Sequence, residues 1–378
     1  MNFGDGKADG LCRVLVPVLY KRLSEPYRIL AMALKGLSLS NLFINLKYCI
    51  KKMEVIGIDV SKLTLDCCIH GCGMQEKFKN DLEGIDQLSA WAIENSGFAK
   101  ENILFVFEHT GLYSYRLTQR LDEKRYRIHV ASGLEIKRSM GITRGKDDKA
   151  DAKRIALYGY RIREEVKPHQ KPKKALSKLK RLMSLRKKLV VQHASYMGAL
   201  KEQKEVFEDE EFIFQAQQEI MKVLAQKISA IEKEMDRIIR EDPELKEMQK
   251  LLISIKGIGK VTARFLIVYT MGFTSFKTWR KFASYIGIAP FPHSSGTSIR
   301  GKTKVSRLAN LEGKALLHLC ATSAIQCSPE MKTFYQRRLE KGKNKMSTLN
   351  IIRNKLLARA FAVIERQSPY VNTMKYAS

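Results

Sequence analysis

The chain divides into segments by its pattern of apolar and polar positions. From Met53 onward, two apolar strands, VIGIDV and LTLDCCI, and a shorter one, EKFKN, precede an amphipathic helix over DLEGIDQLSAWAIENSG. A fourth strand, NILFVFEHTG, a helix, GLYSYRLTQRLDEK, and a strand, RIHVAS, follow, and beyond a linker a further helix begins near Asp148. Three strands followed by alternating helices and strands predict a mixed sheet covered by helices.

The second half of the chain is helical by its pattern. Residues 167–188 keep a leucine face and carry ten basic residues and no acidic one. Between Ile220 and Ile238, apolar residues then recur at intervals of three and four residues, which is the spacing of a coiled-coil seam. The two runs can pair as an antiparallel hairpin or serve a dimer, and the alternative is a surface helix with solvated charges. Further on, GIAPFPHSSGTSIRGKTKVSR is predicted to be a loop.

These patterns predict an α/β plus α fold. Residues 1–52 show no sustained periodicity of apolar residues, and Met53 stands directly before the first strand that the pattern predicts. We expect translation to start there naturally, which makes residues 1–52 an upstream extension; the alternative is an N-terminal helical arm. The predicted domains are then a sheet domain over 53–165, a basic helical or coiled-coil spacer over 166–245 and a mainly helical C-terminal domain over 246–378.

Charge narrows the class of partner. The 378 residues include 68 Lys and Arg against 39 Asp and Glu, a formal charge of +29, which indicates a polyanionic partner. Nucleic acid is favoured over a membrane surface, because the chain has no run of about 18 apolar residues and no basic amphipathic helix with an aromatic face. The seven cysteines lack the spacing of a disulfide framework and fit a reducing cytoplasm.

The stretch CCIHGC has the residue types of a zinc site, with Cys67, Cys68, His70 and Cys72. The first two are adjacent in a predicted strand, so they point to opposite faces of the sheet. The sequence holds no second CxxC pair that would complete a tetrahedron. Zinc binding is therefore disfavoured.

Four carboxylates fall at strand ends or at a helix start: Asp59, Glu108, Asp148 and Asp151. The last two are three residues apart on a helix and share a face. Buried carboxylates are costly unless a cation neutralises them, and hard oxygen ligands suit Mg²⁺ or Mn²⁺. The alternative is that Asp59 caps a strand, Glu108 pairs with an arginine and the helical pair is a solvated first turn.

Two nearby acids compete with this set. Asp147 is adjacent to Asp148, and Asp66 lies on the second strand. From the residues alone, either could replace a member of the set.

The stretch IKGIGKVTA, between two apolar helical runs, has the pattern of a helix-hairpin-helix. In that motif glycine allows a tight turn, and the exposed N–H groups of the next helix hold a phosphate without reading sequence. The alternative is an ordinary glycine turn between core helices. The predicted nucleic-acid contacts are the residues of this turn, of the basic helix and of the loop that follows: Lys256, Gly257, Gly259, Lys260, Lys180, Arg181, Arg300, Lys302 and Lys304.

That loop also holds a candidate nucleophile. Ser294 and Ser295 precede Gly296, which frees the backbone to present a hydroxyl to solvent. A serine nucleophile needs activation and nearby charge to stabilise the reacting phosphate, and neighbouring cations favour this.

Taken together, the sequence resembles the transposases of the insertion-sequence 110 family, DEDD-type recombinases guided by a bridge RNA. The marks are IGIDVSK, FEHTG, KDDKADA, IKGIGKVTA and GIAPFPHSSGTSIRGK, and the resemblance covers Met53 to about Ser368. It implies an RNase H-like, RuvC-type domain in which Asp59, Glu108, Asp148 and Asp151 bind the metal. It also implies a coiled-coil spacer and a C-terminal domain that supplies Ser295 as the nucleophile.

The resemblance carries further expectations. In that family the serine attacks a DNA phosphate at a composite centre to give a phosphoserine linkage, while carboxylate-held Mg²⁺ stabilises charge. Donor and target double-stranded DNA are chosen by pairing to the guide RNA. A dimer or tetramer and a prokaryotic cytoplasm, at the nucleoid, are expected. Asp147 still competes with Asp148, and Ser294 with Ser295.

Three functions of different classes follow. The first is the RNA-guided serine recombinase. The second is a junction-resolving nuclease that uses only the carboxylates and metal-activated water. The third is a DNA-binding protein without catalysis.

Overall fold

The computed structural model of the chain describes residues 53–140, 148–207, 210–295 and 299–371. The predicted extension over residues 1–52 lies outside this part. The chain forms two compact units, which meet in the sequence at Lys171 and Pro172. The predicted boundary between a spacer and a C-terminal domain at residue 245 stays a prediction. Within the described part, no helix combines the length and the apolarity that a membrane crossing requires.

The first unit is built on a five-stranded mixed sheet of order β3-β2-β1-β4-β5. β2 pairs antiparallel with β1 and β3, whereas β4 pairs parallel with β1 and β5. The mixed sheet predicted from the sequence is therefore confirmed, and it is consistent with an RNase H-like domain. The strands are β1 (Glu54–Val60), β2 (Thr64–Ile69), β3 (Gln75–Lys79), β4 (Ile103–Glu108) and β5 (Arg127–Ala131).

In the described part of this unit, four helices accompany the sheet: α1 (Leu82–Ser96), α2 (Tyr113–Glu123), α3 (Gly133–Ser139) and α4 (Asp148–Ile162), with a short 3₁₀ helix at Lys100–Asn102. α1 begins where Asp81 accepts a hydrogen bond from the N–H of Gly84 and ends at Gly97, whose φ is 68°. α3 lies where the sequence predicted only a linker. The Ser132 and Glu135 side chains form a capping box that starts this helix.

The strands alternate between two cores on opposite faces of the sheet. On one face, Ile58 and Phe107 pack in a cluster with residues of α1 and α2. On the other face, Val55 and Val106 pack with Ile155 of α4. Positions 57 and 59 of β1 share the α4 face with Val55, because side chains alternate along a strand. Position 108 shares that face with Val106 for the same reason.

Gly57 allows α4 to lie directly on β1. A Cβ atom at this position would overlap the carbonyl O of Ala152 and the backbone N of Ala156. Further along α4, a Cβ on Gly159 would overlap the side chains of Val55 and Val106. α4 therefore runs antiparallel to β1, and its first turn lies over the carboxyl ends of β1 and β4.

Where the structure describes it, the second unit is helical apart from one hairpin. Its helices are α5 (Lys174–Val206), α6 (Glu211–Glu241), α7 (Pro243–Ile253), α8 (Lys260–Tyr269), α9 (Trp279–Ile286), α10 (Leu311–Cys327), α11 (Pro329–Glu340) and α12 (Lys345–Arg366). A single buried cluster joins residues of α5 through α12, including Leu179, Phe265, Leu317 and Leu356.

The two long helices form an antiparallel hairpin within the chain. Lys178 bonds Glu234 and Arg186 bonds Glu232, each at 2.6 Å, while the Gln203 and Gln217 side chains bond one another further along. Of the predicted alternatives, pairing within the chain is the one observed. A coiled coil and a dimer remain predictions.

The segment predicted as a loop after α9 is instead a β-hairpin, so that prediction was wrong. β6 (Pro290–Ser295) pairs antiparallel with β7 (Ile299–Val305), and the register shifts between Phe291 and His293. The shift places Pro292 at a bulge, where a residue without an N–H interrupts no ladder bond. The prolines and glycines of this segment mask the strand pattern in the sequence.

Candidate active site and nucleic-acid surface

Asp59 and Glu108 lie side by side at the carboxyl ends of two parallel strands. Ile58 of β1 is in register with Phe107 of β4, and each acid is the next residue along its strand. Both positions are half-buried and share the face of the sheet that α4 covers. The edge formed by the carboxyl ends of parallel strands is where open α/β sheets place their ligands.

The other two predicted acids lie in the first turn of α4. The helix begins at Asp148, which is one turn before Ala152, the residue whose carbonyl lies against Gly57. Asp151 is one turn before Ile155, which packs on the same face of the sheet. Asp151 is also bonded to Arg154 at 2.7 Å. Of Asp148 the structure describes the backbone position, and Asp147 lies outside the described residues.

The Glu108 carboxylate is held against the start of α3. A Cβ on Gly133, the first residue of that helix, would overlap the Oε1 atom of Glu108. Two residues after Glu108, the hydroxyl of Thr110 is buried and has no hydrogen-bond partner in the described part of the chain. No ion pair of Glu108 is found there either, so the arginine partner considered from the sequence is not observed. At this edge of the sheet, Glu108 is therefore held by packing against α3, and the Thr110 hydroxyl can still accept or donate a hydrogen bond.

Asp66 has a structural partner that separates it from the predicted set. It lies opposite Asp59 in the β1–β2 pair and on the same face. On its other side it is in register with Lys77, whose ammonium lies 3.2 Å from the Asp66 carboxylate. The lysine neutralises this acid, so Asp66 needs no metal to explain its burial.

The donor set of this edge suits a divalent cation. Asp59 and Glu108 supply carboxylate oxygens, the ligands preferred by Mg²⁺ and Mn²⁺, and the first turn of α4 holds two further acids. Among the side chains that the structure describes, no group of three or more His, Cys, Asp or Glu is close enough to hold a metal. The side chain of Asp148 is not among them. Metal binding by the full set of four therefore stays a prediction.

Two of the three cysteines of CCIHGC, Cys67 and Cys68, are buried against the sheet. Cys67 belongs to the core under α1 and α2, whereas Cys68 packs on Ala152 and Ala156 of α4, so they lie on opposite faces. Burial raises the pKa of both thiols, which keeps them protonated. His70 stacks on Tyr160 with ring centroids 4.0 Å apart.

In the second unit, the two candidate serines lie at the end of β6. Ser294 is in register with Arg300 and Ser295 with Ile299 of β7. The base of this hairpin is fixed to α12, because the side-chain amides of Asn350 and Asn354 both donate to the carbonyl of Ile288, at 2.9 and 3.1 Å.

The predicted nucleic-acid contacts of the second unit have different surroundings. Lys180 and Arg181 are exposed on α5, and the Lys180 ammonium lies 5.8 Å from the ring centre of Tyr269. Lys256 is exposed, whereas the Lys260 ammonium lies 3.6 Å from Asp236. Lys304 is exposed on β7. Arg300 and Lys302 are also on β7, where the structure describes only their backbone positions.

Packing explains why glycine occurs in the turn between α7 and α8. Gly257 has a φ of 96°, and a Cβ there would lie 2.7 Å from that of Ala324 in α10. Ile258 is buried, and Gly259 is the exposed N-cap of α8. Phosphate binding by this helix-hairpin-helix turn, with Gly257 and Gly259, stays a prediction.

Two protein-family models match the chain. A transposase model of the DEDD type, named for IS110, matches residues 56–203, and a model described as the IS116/IS110/IS902 transposase family matches residues 249–336. The chain belongs to the IS110 family of transposases. Members of the family cleave and rejoin DNA, and transposase domains of the DEDD type typically depend on a divalent metal ion.

Relatives of this transposase extend along most of its length. It is 28% identical over 325 residues to the pilin gene-inverting protein of Moraxella bovis, an alignment that covers 83% of this chain and 97% of that protein. The protein of the same name from Moraxella lacunata has the same identity and coverage. A protein of insertion element IS110 from Streptomyces coelicolor is 30% identical over 145 residues, which are 38% of this chain and 35% of that one.

Sequence reasoning missed several residues that support the sites of this transposase. Gly133 gives Glu108 its place, and Asn350 and Asn354 hold the serine hairpin. Their only sequence signal is residue type: a glycine at a helix start, and two amides one helical turn apart. Neither signal reveals the contact, because each partner is distant in the chain.

Proposed function

We propose that this transposase cuts and rejoins DNA through a phosphoserine intermediate on Ser295, with Mg²⁺ or Mn²⁺ held by Asp59, Glu108, Asp148 and Asp151. The observation that carries the proposal is the register of β1 and β4, which sets Asp59 beside Glu108 under the first turn of α4. Four hard carboxylates, if they converge at this edge, would meet the needs of a divalent ion that bridges phosphate oxygens. Such an ion, when bound, stabilises the charge that develops on those oxygens.

A serine nucleophile is supported by the requirement for rejoining. The chain's relatives over 83% of its length are named for inverting a gene, and inversion requires that cut ends be rejoined. In the proposed step the Ser295 hydroxyl loses its proton and its Oγ bonds the phosphorus, while a bridging oxygen leaves with a proton as a sugar hydroxyl. The reverse attack by a sugar hydroxyl releases the serine. The phosphodiester energy is conserved, whereas hydrolysis would lose it.

Guidance by a noncoding RNA belongs to the same proposal. A protein that delegates base reading to RNA needs contacts to nucleic-acid backbone and charge more than groove-reading side chains. The chain has this charge, +29, and its predicted contacts are lysines, arginines and a glycine turn. The partners are therefore donor and target DNA, a guide RNA, and further copies of the chain in a dimer or tetramer.

Hydrolysis by metal-activated water is the second candidate. Asp59, Glu108 and the first turn of α4 together supply the carboxylates of a nuclease without any contribution from the β6–β7 hairpin. In this case Ser295 would not bond to DNA.

Trapping a covalent protein–DNA adduct distinguishes the phosphoserine mechanism from hydrolysis by metal-activated water. The full chain is incubated with Mg²⁺, the RNA that copurifies with it, and a nicked substrate whose cleaved strand diffuses away. Protein-linked DNA is then measured on a denaturing gel. Wild type and Ser294→Ala are expected to form the adduct, and Ser295→Ala to form none while it still binds RNA.

Comparing the Ser294→Ala and Ser295→Ala variants identifies which serine, if either, is the nucleophile. Adduct with Ser295→Ala but not with Ser294→Ala would move the nucleophile by one residue. Cleavage by Ser295→Ala at the wild-type rate, with free DNA ends, would establish water or a sugar hydroxyl as the nucleophile. Sequencing of the copurifying RNA tests guidance: one defined noncoding species is expected, and a mixture of cellular RNAs would contradict it.

A further inference from the structure

Arg353 of α12 is a buried cation that has no carboxylate partner among the described residues. Its side chain is 6% exposed, and burial lowers its pKa. Within the described residues its hydrogen bond is to the Nδ1 atom of His318 in α10, at 2.5 Å, and its Nε is buried with no partner. Burial and the adjacent guanidinium both lower the pKa of His318, so its ring is neutral and does not compensate the charge.

Two other arginines packed in the same unit are compensated. Arg264, 3% exposed, lies 2.5 Å from the Asp236 carboxylate. Arg359, on α12 itself, makes two bonds to Glu330, at 2.6 and 2.8 Å. Burial of a cation is ordinarily accompanied by a counter-ion, because desolvation costs several kcal/mol. Arg353 is therefore an exception in its own surroundings.

The position of Arg353 connects it to the serine hairpin. In the sequence of α12 it lies between Asn350 and Asn354, the two amides that hold the Ile288 carbonyl at the base of β6. The sequence from 287 to 311 contains no acidic residue, so the hairpin has no carboxylate to offer. His318, the hydrogen-bond partner of Arg353, is half-buried and thus partly open to solvent.

We propose that Arg353, together with His318, binds one phosphate group of the nucleic-acid backbone at the base of the β6–β7 hairpin. The inference rests on the proposed action on DNA and RNA. Arg353 donates to the Nδ1 atom of His318, so the proton of that neutral, half-buried ring lies on Nε2 and can be donated to a phosphate, while the adjacent guanidinium supplies the positive charge. Five strand steps separate Pro290 from Ser295, roughly 17 Å, so the bound phosphate positions the nucleic acid and is not the scissile group.

The test compares two arginine variants of one helix. Arg353→Met and Arg359→Met remove the same charge from α12, but Arg359 already has Glu330 as its partner. The affinity of the full chain for duplex DNA, and for single-stranded RNA of equal length, is measured by fluorescence anisotropy at several salt concentrations. Each lost phosphate contact lowers the slope of log K against log salt by about 0.9 for duplex DNA and about 0.7 for a single strand.

We expect Arg353→Met to weaken binding on the order of tenfold and to lower the slope by one contact. Arg359→Met should leave the slope unchanged. If Arg353→Met lowers the affinity and the slope for duplex DNA alone, the bound phosphate belongs to DNA. If it lowers them for RNA alone, the phosphate belongs to RNA. Equal slopes for wild type and Arg353→Met, or equal losses in both variants, would overturn the inference. If wild type itself shows no salt-dependent binding, the proposed function fails as well.

Stability supplies a second readout. Since Arg353→Met removes a buried and uncompensated charge, its Tm should equal or exceed that of wild type. A clearly lower Tm would show that Arg353 is a structural residue and would contradict the inference. Arg353→Lys keeps the charge but loses the planar fork, so it should keep the salt slope and bind more weakly. A reduced slope with Arg353→Lys would also count against a phosphate contact.

Discussion

Gly57 of β1 is in direct backbone contact with Ala156 of α4. This contact sets the height of α4 over the sheet, and with it the height of the helix's first turn, which begins at Asp148, above Asp59 and Glu108. The apolar run VIGIDV thus contains its glycine because a helix backbone occupies the place of a side chain.

Gly57→Ala should therefore destabilise the first unit. The added Cβ meets backbone atoms, which yield only if α4 moves, and overpacking of this kind costs about 1–3 kcal/mol. The free energy of unfolding is measured in urea. Gly73→Ala is the control in the same unit: it has a φ of 71° but nothing within 4 Å of the new Cβ, so it should cost only about 1–2 kcal/mol for the left-handed backbone. DNA cleavage should be lost only in Gly57→Ala.

Gly133→Ala should affect the site without unfolding the chain. The new Cβ overlaps the end of a flexible side chain, Glu108, which can rotate away at small cost in stability. The carboxylate then leaves its place beside Asp59, and we expect the Mg²⁺ concentration needed for half-maximal cleavage to rise about tenfold, as for loss of a metal-orienting contact.

Ser132→Ala controls for damage to α3 itself. It removes the cap of that helix, worth about 1 kcal/mol, but places nothing against Glu108. Its metal requirement should match that of wild type. If both variants shift the requirement equally, Gly133 acts through helix stability and not through the carboxylate.

The sheet and its first helix could be predicted because their signals are local. Alternating or continuous apolar runs define β1, β2 and β4, and Asp81 and Gly97 mark the ends of α1. The β6–β7 hairpin could not, since Pro290, Pro292 and the following glycines read as a loop, and only pairing between the strands reveals them.

Some residues of the candidate site could be predicted from the sequence, and others could not. Asp59 and Glu108 stand out because a charge ends an apolar strand, and the sequence order places both strand ends at one edge. The lysine that neutralises Asp66 and the histidine beside Arg353 are invisible in the sequence, because they depend on register and helix packing. Long-range contacts between polar side chains leave no periodic signal.

The two asparagines at the base of the β6–β7 hairpin should have non-additive effects on stability. Asn350 and Asn354 donate to one acceptor, the carbonyl of Ile288, so either amide can satisfy it alone. Each single alanine variant should lose less than about 1 kcal/mol of stability, whereas the double variant leaves a buried carbonyl unpaired and should lose about 1–3 kcal/mol. Covalent adduct formation should fall mainly in the double variant. Additive losses would show that the two amides act independently.

The pH response of His318 tests its contact with Arg353. Burial first, and Arg353 second, hold the pKa of His318 below its ordinary value of 6.5. The unfolded chain therefore takes up the proton first, and stability from His318 is lost as pH falls below about 6.5 toward the folded pKa. Arg353→Met should raise the pKa of His318 and reduce this loss. NMR titration of the ring measures it, and an unchanged pKa would contradict the contact.

The most direct test of the carboxylate site uses Asp59 and Asp66, which face each other across the β1–β2 pair. Binding of Mn²⁺ to the full chain is measured by the loss of the free-ion signal in electron paramagnetic resonance, for wild type, Asp59→Asn and Asp66→Asn. Asp59→Asn should weaken binding at least tenfold, as should Glu108→Gln, whereas Asp66→Asn should bind as wild type because Lys77 already neutralises that acid. Equal affinities for wild type and Asp59→Asn, or equal losses in Asp59→Asn and Asp66→Asn, would contradict a metal site at the ends of β1 and β4.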